Sequence, residues 1–213
     1  QAYAVGKALE QALPQIEIEY LFRESLGDKN LTDPLWKLPE KGVFTEDFFK
    51  DLIKGSTDIV VHSWKDLPTE PEAETEIIAT LSRADQRDVL LLKPSAKGKK
   101  KIRLFSSSPR RVYNLESFFK WAWPWKTDEI HFESVRGNIP TRVRKLLETE
   151  EIDGLILAKA ALDRLTGPGS EAFPETRDFL IQSARSFMWQ VLPLECNPSA
   201  AAQGALAIEI KKG

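Results

Sequence analysis

Four polar side chains directly follow a short run of β-branched residues. In the stretch DIVVHSWKDLPTE, residues 59–61 precede His62, Ser63, Lys65 and Asp66. Such a run is typical of a buried strand, and in open parallel sheets ligands bind beyond the carboxyl ends of the strands. A carboxylate held there beside cations can exchange protons or stabilise a developing positive charge. Asp66 is therefore a candidate catalytic group, and a capped turn with solvated charges is the alternative interpretation.

A second cluster, FSSSPRR, places three hydroxyls before two arginines where a strand is predicted to meet a helix. Its polar members are Ser106, Ser107, Ser108, Arg110 and Arg111. Backbone amides at a helix start, with hydroxyls and guanidinium groups beside them, suit carboxylate or phosphate groups. The alternative is an ordinary capped helix with two solvated arginines.

The third cluster, SVRGNIPTRVRK, again puts an arginine just after a predicted strand. Arg136 precedes Gly137, and Arg142 falls in the first turn of the helix that follows. A cation at a helix N-terminus opposes the helix dipole, so a purely structural role suits Arg142 poorly. The repeated placement of arginines favours anion binding.

The elements that must position these clusters alternate between helices and strands. Residues 2–13 have the apolar spacing of a helix and residues 16–22 alternate as a strand does. Thr45 is expected to cap a helix that ends at Gly55. The following strand, residues 58–63, is apolar on both faces, which predicts a central parallel strand.

A similar order continues after residues 93–101, a polar segment predicted to link two domains. Pro109 opens one predicted helix and Thr141 is expected to cap another. Residues 101–108 are predicted to form a strand and the loop after it, and further strands are predicted at residues 129–135 and 153–162. Strands that alternate with helices indicate an α/β layer fold.

The composition of the 213 residues narrows the possible partners and compartment. The formal net charge of −2 does not indicate nucleic acid or an anionic membrane. A single cysteine, Cys196, excludes an internal disulfide. With only two histidines, the chain supplies few of the nitrogen and sulfur ligands that metal sites commonly use. We expect no metal, no membrane span and a cytoplasmic location.

The stretch DIVVHSWKDLPT resembles the signature of the porphobilinogen deaminase (hydroxymethylbilane synthase) family, in which a strand ends in His-Ser-x-Lys-Asp-x-Pro. The resemblance continues in the family's order through SLGD, KGVFTEDF, RADQRDV, SSSPRR, VRGNIPTRVRKL, LILAKAALDRL and AAAQGALAIEI. It implies an α/β fold of two periplasmic-binding-protein-like lobes with a central cleft. Lobe 1 would comprise residues 1–93 plus 188–213, and lobe 2 residues 101–187.

The resemblance also implies an activity. The family is a transferase of tetrapyrrole synthesis that joins four porphobilinogen molecules head to tail, with loss of ammonia, on a dipyrromethane cofactor. Asp66 would be the catalytic carboxylate, assisted by Lys65, with Ser63 beside it and Lys41 reaching into the cleft. A non-catalytic module that binds a polycarboxylate or a polypyrrole is the alternative.

By the same resemblance, arginines would hold the acetate and propionate groups of cofactor and substrate, since a guanidinium binds a carboxylate bidentately. The implied binding residues are Arg110, Arg111, Arg136, Arg142, Arg164, the serines Ser106, Ser107 and Ser108, and Gln203. We expect the substrate to be porphobilinogen and the protein to be a monomer. We expect neither nucleic acid nor a membrane as a partner.

Some positions depart from the family pattern. Phe105 stands where the family has glycine, which is expected to crowd the cofactor, and Pro109 stands where it has leucine. The family attaches its cofactor to a cysteine in a third domain, which we expect to be absent from this chain, since Cys196 does not match that position.

Overall fold

The computed structural model describes residues 1–22, 46–70 and 72–213, which divide into two compact units. Unit 1 comprises Gln1–Ala84 and Ala202–Gly213, and unit 2 comprises Asp85–Ala201. Both units contain helices and strands, which confirms the predicted α/β class. The unit boundaries differ from those placed on the sequence. Residues 93–101 lie inside unit 2, because the strands on either side of them belong to one sheet.

The described part of unit 1 contains a three-stranded antiparallel sheet. Its strand order is β1 (Val60–Ser63), β8 (Leu206–Lys211) and β2 (Thr75–Ala79). Helices α1 (Ala2–Ala12) and α2 (Glu46–Lys54) contact β1. The apolar core of this unit is built around Val5, Leu206 and Ile208.

Two predictions for unit 1 are wrong. Strand β1 is antiparallel to β8 and lies at an edge of the described sheet, not at the centre of a parallel one. It is apolar on both faces because Val60 is buried while Val61 packs against the apolar core. Residues 16–22 form no strand, and Tyr20 instead packs against Tyr3 of α1, with ring centroids 4.4 Å apart.

Other predictions for unit 1 agree with the structure. Residues 2–13 contain helix α1, and Gly55 ends α2 with a φ of +71°, a left-handed conformation that suits glycine. The expected cap, Thr45, lies outside the described residues.

Unit 2 contains a mixed five-stranded sheet. Strand β4 (Lys101–Phe105) is parallel to β5 (Glu129–Glu133) and β6 (Gly154–Ala158), whereas β3 (Asp88–Leu92) is antiparallel to β6 and to β7 (Met188–Val191). The three strands predicted from the sequence are therefore present. The third is shorter than predicted, because a helix begins at Lys159.

Helices cover both faces of this sheet. Alternate residues of β3 belong to different core clusters, Val89 and Leu91 to one and Leu90 and Leu92 to the other. The first cluster includes residues of α4 (Ile139–Glu148), α5 (Lys159–Thr166) and α6 (Pro174–Arg185), and the second includes residues of α3 (Pro109–Ala122). Both faces of β3 are consequently buried, which explains its continuous apolar run.

The helix starts in unit 2 show one prediction confirmed and one wrong. Pro109 is the first residue of α3, as predicted, and Ser108 caps that helix. Helix α4 is capped by Asn138, not by Thr141. The Asn138 Oδ1 atom accepts a hydrogen bond from the Thr141 backbone amide at 3.0 Å, so Thr141 lies one turn inside the capped end.

Across the described ranges, no helix is long and apolar enough to cross a membrane. The same part of the chain contains no group of three or more His, Cys, Asp or Glu side chains that could hold a metal ion.

Candidate functional site

In unit 1, Lys65 and Asp66 lie on a short 3-10 turn, Trp64–Asp66, that follows β1 directly. The Trp64 backbone amide donates to the Ala205 carbonyl oxygen at 3.2 Å, which continues the pairing of β1 with the chain that leads into β8. The end of the sheet therefore fixes the backbone from which the Asp66 side chain extends.

The environment of the Asp66 carboxyl raises its pKa. Burial raises its pKa above the ordinary value, and the charges of Lys65 and His62 lower it in opposition. The residue nevertheless keeps an exposed surface, so solvent moderates both effects. A carboxyl with a raised pKa can hold and release a proton in milder conditions than an ordinary aspartate, which suits general acid–base chemistry.

Two further predicted site residues of unit 1 lie around this turn. The Lys65 Nζ atom is 3.5 Å from the Oε1 atom of Gln203, which is buried. The Gln203 carbonyl oxygen accepts a hydrogen bond from Arg83 Nε at 3.0 Å, a contact that our sequence reasoning missed. Ser63 Oγ accepts one from Gln1 Nε2 at 2.6 Å. The remaining predicted residue, Lys41, lies outside the described residues.

In unit 2, Arg110 and Arg111 share one buried carboxylate. Each donates a hydrogen bond to Asp88 at 2.8 Å, Arg110 to Oδ2 and Arg111 to Oδ1. Burial alone would raise the pKa of Asp88, but the two guanidinium groups and Asn197 lower it to about 2. Asp88 thus remains ionised, and two guanidinium charges face a single carboxylate.

Asp88 and Asn197 are residues that the sequence reasoning missed. Asn197 donates to Asp88 Oδ2 at 2.9 Å, and Arg110 also donates to Asn197 Oδ1 at 3.2 Å and to the Pro198 carbonyl oxygen. One signal was present in the sequence: an aspartate opens the otherwise apolar strand DVLLL, and a buried aspartate requires a charged partner.

The three serines before α3 stabilise the turn that leads into this helix. Ser106 is buried, and its Oγ accepts the Ser108 backbone amide at 3.5 Å. Ser107 Oγ accepts the Val135 amide at 2.8 Å and also donates to the carbonyl oxygen of that residue. Ser108 caps the helix by accepting the Arg111 amide at 3.4 Å. The serines thereby join the end of β4 to the segment after β5.

A group of three arginines lies beside this turn. Arg142 donates from Nε to the Gly137 carbonyl oxygen at 2.6 Å. Burial lowers the pKa of Arg142, and the positive charges of Arg111 and Arg136 lower it further. Guanidinium groups from α3 and from the loop after β5 therefore act on the guanidinium of α4 as like charges, an arrangement that an anionic ligand would stabilise.

Three further side chains singled out in the sequence, Arg164, Phe105 and Cys196, lie in unit 2. Arg164 is half-buried in the last turn of α5, and burial lowers its pKa. The Phe105 side chain packs in the first core cluster and is only 8% exposed, so it contributes to the interior of the unit. Cys196 packs against the second core cluster.

Fold and site together define an α/β protein with a group of arginines beside the start of α3 in unit 2. A family model described as porphobilinogen deaminase, dipyrromethane cofactor binding domain, matches residues 1–213. The chain therefore belongs to the porphobilinogen deaminase family and carries its dipyrromethane cofactor binding domain. This confirms the resemblance based on the sequence motifs.

Known proteins show how far the similarity extends. The chain is 38% identical over 168 residues to the porphobilinogen deaminase of Syntrophomonas wolfei. The aligned region covers 78% of this chain and 52% of that protein. It is 34% identical over 217 residues to the porphobilinogen deaminase of a Nostoc species, and this alignment covers 99% of this chain and 59% of that protein. Among solved structures, the ligand-binding component of an ABC-type import system from Staphylococcus aureus aligns with a TM-score of 0.36 and 11% identity, covering 78% of this chain and 52% of that chain. The chain spans about half to two thirds of the length of its curated relatives.

Proposed function

We propose that the protein containing this chain is a porphobilinogen deaminase, or hydroxymethylbilane synthase, which condenses four porphobilinogen molecules into a linear tetrapyrrole. The observation that carries the proposal is the arrangement of unit 2 in which the positive charges of Arg111 and Arg136 lower the pKa of Arg142. Every pyrrole of this reaction carries two carboxylates, so the ligand supplies the negative charges that such a site requires.

The residues of unit 2 fit the dipyrromethane cofactor of the family. The buried Nε atom of Arg111 has no hydrogen-bond partner among the described residues, and a ligand carboxylate would satisfy this donor. In our proposal Arg111, Arg136 and Arg142 hold the cofactor carboxylates, with Arg110, Arg164 and Ser107 contributing beside them. When bound, the cofactor supplies the pyrrole carbon from which the product chain grows.

The proposed role of Asp66 is to manage charge and protons at the reacting carbon. The aminomethyl nitrogen of porphobilinogen leaves as ammonia with the electrons of its C–N bond, and a cation remains on the substrate. The free ring carbon of the growing chain forms the new C–C bond and then loses its proton. Ionised Asp66 stabilises the cation and accepts protons, and its raised pKa allows the protonated form to donate one to the departing amine.

Lys65, Ser63 and Gln203 support that carboxylate in the proposed reaction. The charge of Lys65 opposes the effect of burial on the Asp66 pKa, so part of the population stays ionised. Lys65 in turn lies against buried Gln203, which keeps the ammonium group beside the turn. We propose that Lys41 also contributes to substrate binding.

The proposed function is tested by intact mass measurement of the complete gene product with porphobilinogen. The expected result is stepwise growth by pyrrole units on a primed protein. Asp66→Asn should lower turnover about 10²- to 10⁴-fold, because removal of a general acid–base group has effects of that size. Asp58→Asn, an exposed position before β1, is the matched control and should retain turnover.

Ligand uptake without turnover in the wild-type protein would contradict the proposal and favour a non-catalytic module that binds a polycarboxylate or polypyrrole. If such a module is the true function, Asp66→Asn should leave ligand affinity nearly unchanged and there would be no activity to lose.

The arginine site is tested by the fraction of purified protein that carries the cofactor mass. Arg142→Ala should lower this fraction, because a charge-assisted hydrogen bond contributes roughly 1.5–3 kcal/mol. Arg144→Ala is the control on the same helix, since the Arg144 guanidinium lies 5.0 Å from the centre of the Phe179 ring. Equal cofactor loss in both variants would contradict a specific role for Arg142.

The proposed enzyme acts in the cytoplasm as a monomer, on a small-molecule substrate, without nucleic acid or membrane. The formal net charge of −2 supports the absence of a polyanionic partner. Light scattering of the complete gene product tests the monomer.

A further inference from the structure

Unit 1 contains a line of buried polar side chains that the proposed chemistry does not use. His62 in β1, Glu209 in β8 and Thr75 in β2 are each less than a tenth exposed. His62 Nε2 lies 2.7 Å from Glu209 Oε2, and Thr75 Oγ1 donates to Glu209 Oε1 at 2.5 Å. One carboxylate thereby connects all three strands of the described sheet.

The strand register explains why these side chains meet. His62 is opposite Ala207, so Glu209 lies two residues further along β8, on the same face and diagonal to His62. Thr75 is opposite Lys211, which places it diagonal to Glu209 from the other side. A shift of one residue in either pairing would send these polar groups to opposite faces.

The ionisation of Glu209 determines how His62 is bound. Burial raises the pKa of Glu209, but the hydrogen bonds from His62 and Thr75 lower it below the ordinary value overall. An ionised carboxylate only accepts hydrogen bonds, so the Nε2 atom of His62 carries a proton and donates it. The Phe48 ring contacts the imidazole edge-on, with 6.3 Å between ring centroids, and covers it further.

His62 is connected to Asp66 through the chain and through charge. It is the residue before the last of β1, and the 3-10 turn that carries Asp66 begins two residues later. Its charge lowers the pKa of Asp66, as does that of Lys65 on the turn itself. The elements packed around β1 bring other charged groups: Lys7 and Glu10 on α1, Glu46, Asp47, Lys50, Asp51 and Lys54 on α2, and Glu209 and Lys211 on β8.

We propose that His62, held by Glu209 and Thr75 inside the sheet, is a positioning residue for Asp66. It fixes the strand end from which the turn begins two residues later, because Glu209 and Thr75 hold its side chain inside the sheet. The role in turnover rests on the proposed deaminase function, whereas the coupling between His62 and Asp66 does not.

The coupling is measured by ¹³C NMR of aspartate carboxyl carbons in the complete gene product, with the Asp66 signal assigned by its loss in Asp66→Asn. In His62→Gln the titration midpoint of Asp66 should move to higher pH, because a charge that lowers this pKa is removed. The glutamine amide can still donate to Glu209, which limits the structural damage.

His131→Gln is the matched control for this substitution. His131 is the chain's other histidine and also pairs with a glutamate, Glu129, at 3.0 Å, but on the exposed surface of unit 2. This variant should leave the Asp66 titration unchanged. An unchanged Asp66 midpoint in folded His62→Gln would overturn the proposal.

The wild-type protein provides a second test if His62→Gln does not fold. Coupled groups titrate in shared steps, so the Asp66 carbon signal should show a second inflection at the pH where the His62 ring signals change. A single Asp66 step, with no change across the His62 transition, would also overturn the proposal.

Turnover distinguishes this inference from the proposed function. In His62→Gln, kcat should fall on the order of ten- to a hundredfold with little change in KM, because misplacement of a reacting group affects the transition state most. An inactive wild-type protein that still shows the NMR coupling would contradict the deaminase function alone. An active wild type with unchanged kcat in His62→Gln would contradict the positioning role alone.

Discussion

Asp88 in unit 2 and Glu209 in unit 1 are buried carboxylates on sheet strands, and they are neutralised by different chemistry. In unit 2, Asp88 is held by Arg110 and Arg111, whereas in unit 1 Glu209 is held by His62 and a threonine hydroxyl. Arginine stays charged across the ordinary pH range, so the contact in unit 2 is a permanent ion pair. The contacts of Glu209 in unit 1 come instead from an imidazole and a hydroxyl.

The difference corresponds to the two proposed tasks. A site that binds carboxylates needs fixed positive charges, and Asp88 orients two of them without neutralising both. A site that moves protons needs a carboxyl whose pKa is adjustable, and the charges of Lys65 and His62 both act on that of Asp66. In the proposed function, fixed charges would therefore serve binding in unit 2, and adjustable ionisation would serve chemistry in unit 1.

The largest expected effect is that of Asp88→Asn on stability. The asparagine NH2 group would face one of the two guanidinium groups, which has no lone pair to offer, and the carbonyl oxygen would leave the other without a full negative charge. Loss of the buried ion pair should therefore cost about 3–5 kcal/mol. Urea unfolding measures this. Asp85→Asn removes a more accessible pair with Arg87 and should cost at most about 1 kcal/mol. Equal losses would remove the distinction between a buried anchor and a surface pair.

The second effect is the acid limb of the stability curve. Because the folded pKa of Asp88, about 2, lies below its ordinary 3.8, the folded protein binds fewer protons than the unfolded chain. The stabilisation is complete above about pH 4 and is lost as the pH falls towards about 2, and it amounts to roughly 2–3 kcal/mol. The difference in unfolding free energy between wild type and Asp88→Asn should therefore shrink over this interval. A pH-independent difference would show that the carboxylate is not stabilised by its partners.

The smallest expected effect is the loss of stability in Glu209→Gln, which tests the buried carboxylate of unit 1. Glu209→Gln is the same kind of isosteric change, but here both partners can reverse their roles, since the histidine has a second tautomer and the threonine hydroxyl can rotate. The cost should be about 1–2 kcal/mol in urea unfolding. A cost as large as that of Asp88→Asn would mean that the two buried carboxylates are equivalent after all.

Local patterns predicted much of unit 2. Pro109 at a helix start and the strands within residues 101–108, 129–135 and 153–162 depend on neighbouring residues and on burial, which the sequence displays directly. The predictions failed where the conformation of a segment depended on residues distant in the chain, or where two nearby residues could both cap a helix. Residues 16–22 alternate like a strand but form none, and the cap of α4 passed from Thr141 to Asn138, three residues earlier.

The candidate site was predicted in kind but not in its connections. The arginines and Asp66 were identified because their residue types suit acidic ligands and proton transfer. Asp88, the carboxylate that Arg110 and Arg111 share, is separated from them by 22 and 23 residues, and no local pattern joins them. Such a pair forms only when the mixed sheet, in which β3 is antiparallel to β6, brings the start of β3 close to the start of α3.

The sequence by itself determined the chemical groups, the family and the short-range elements, because residue type, capping and periodicity act over a few positions. The tertiary structure alone decided the pairing of β1 with β8 and the partner of each buried charge. His62 and Glu209 are 147 residues apart in the chain, and they meet because one strand register places them diagonally on the same face. That register follows from the packing of the whole unit, and a slip by one residue would send His62 and Glu209 to opposite faces and separate them.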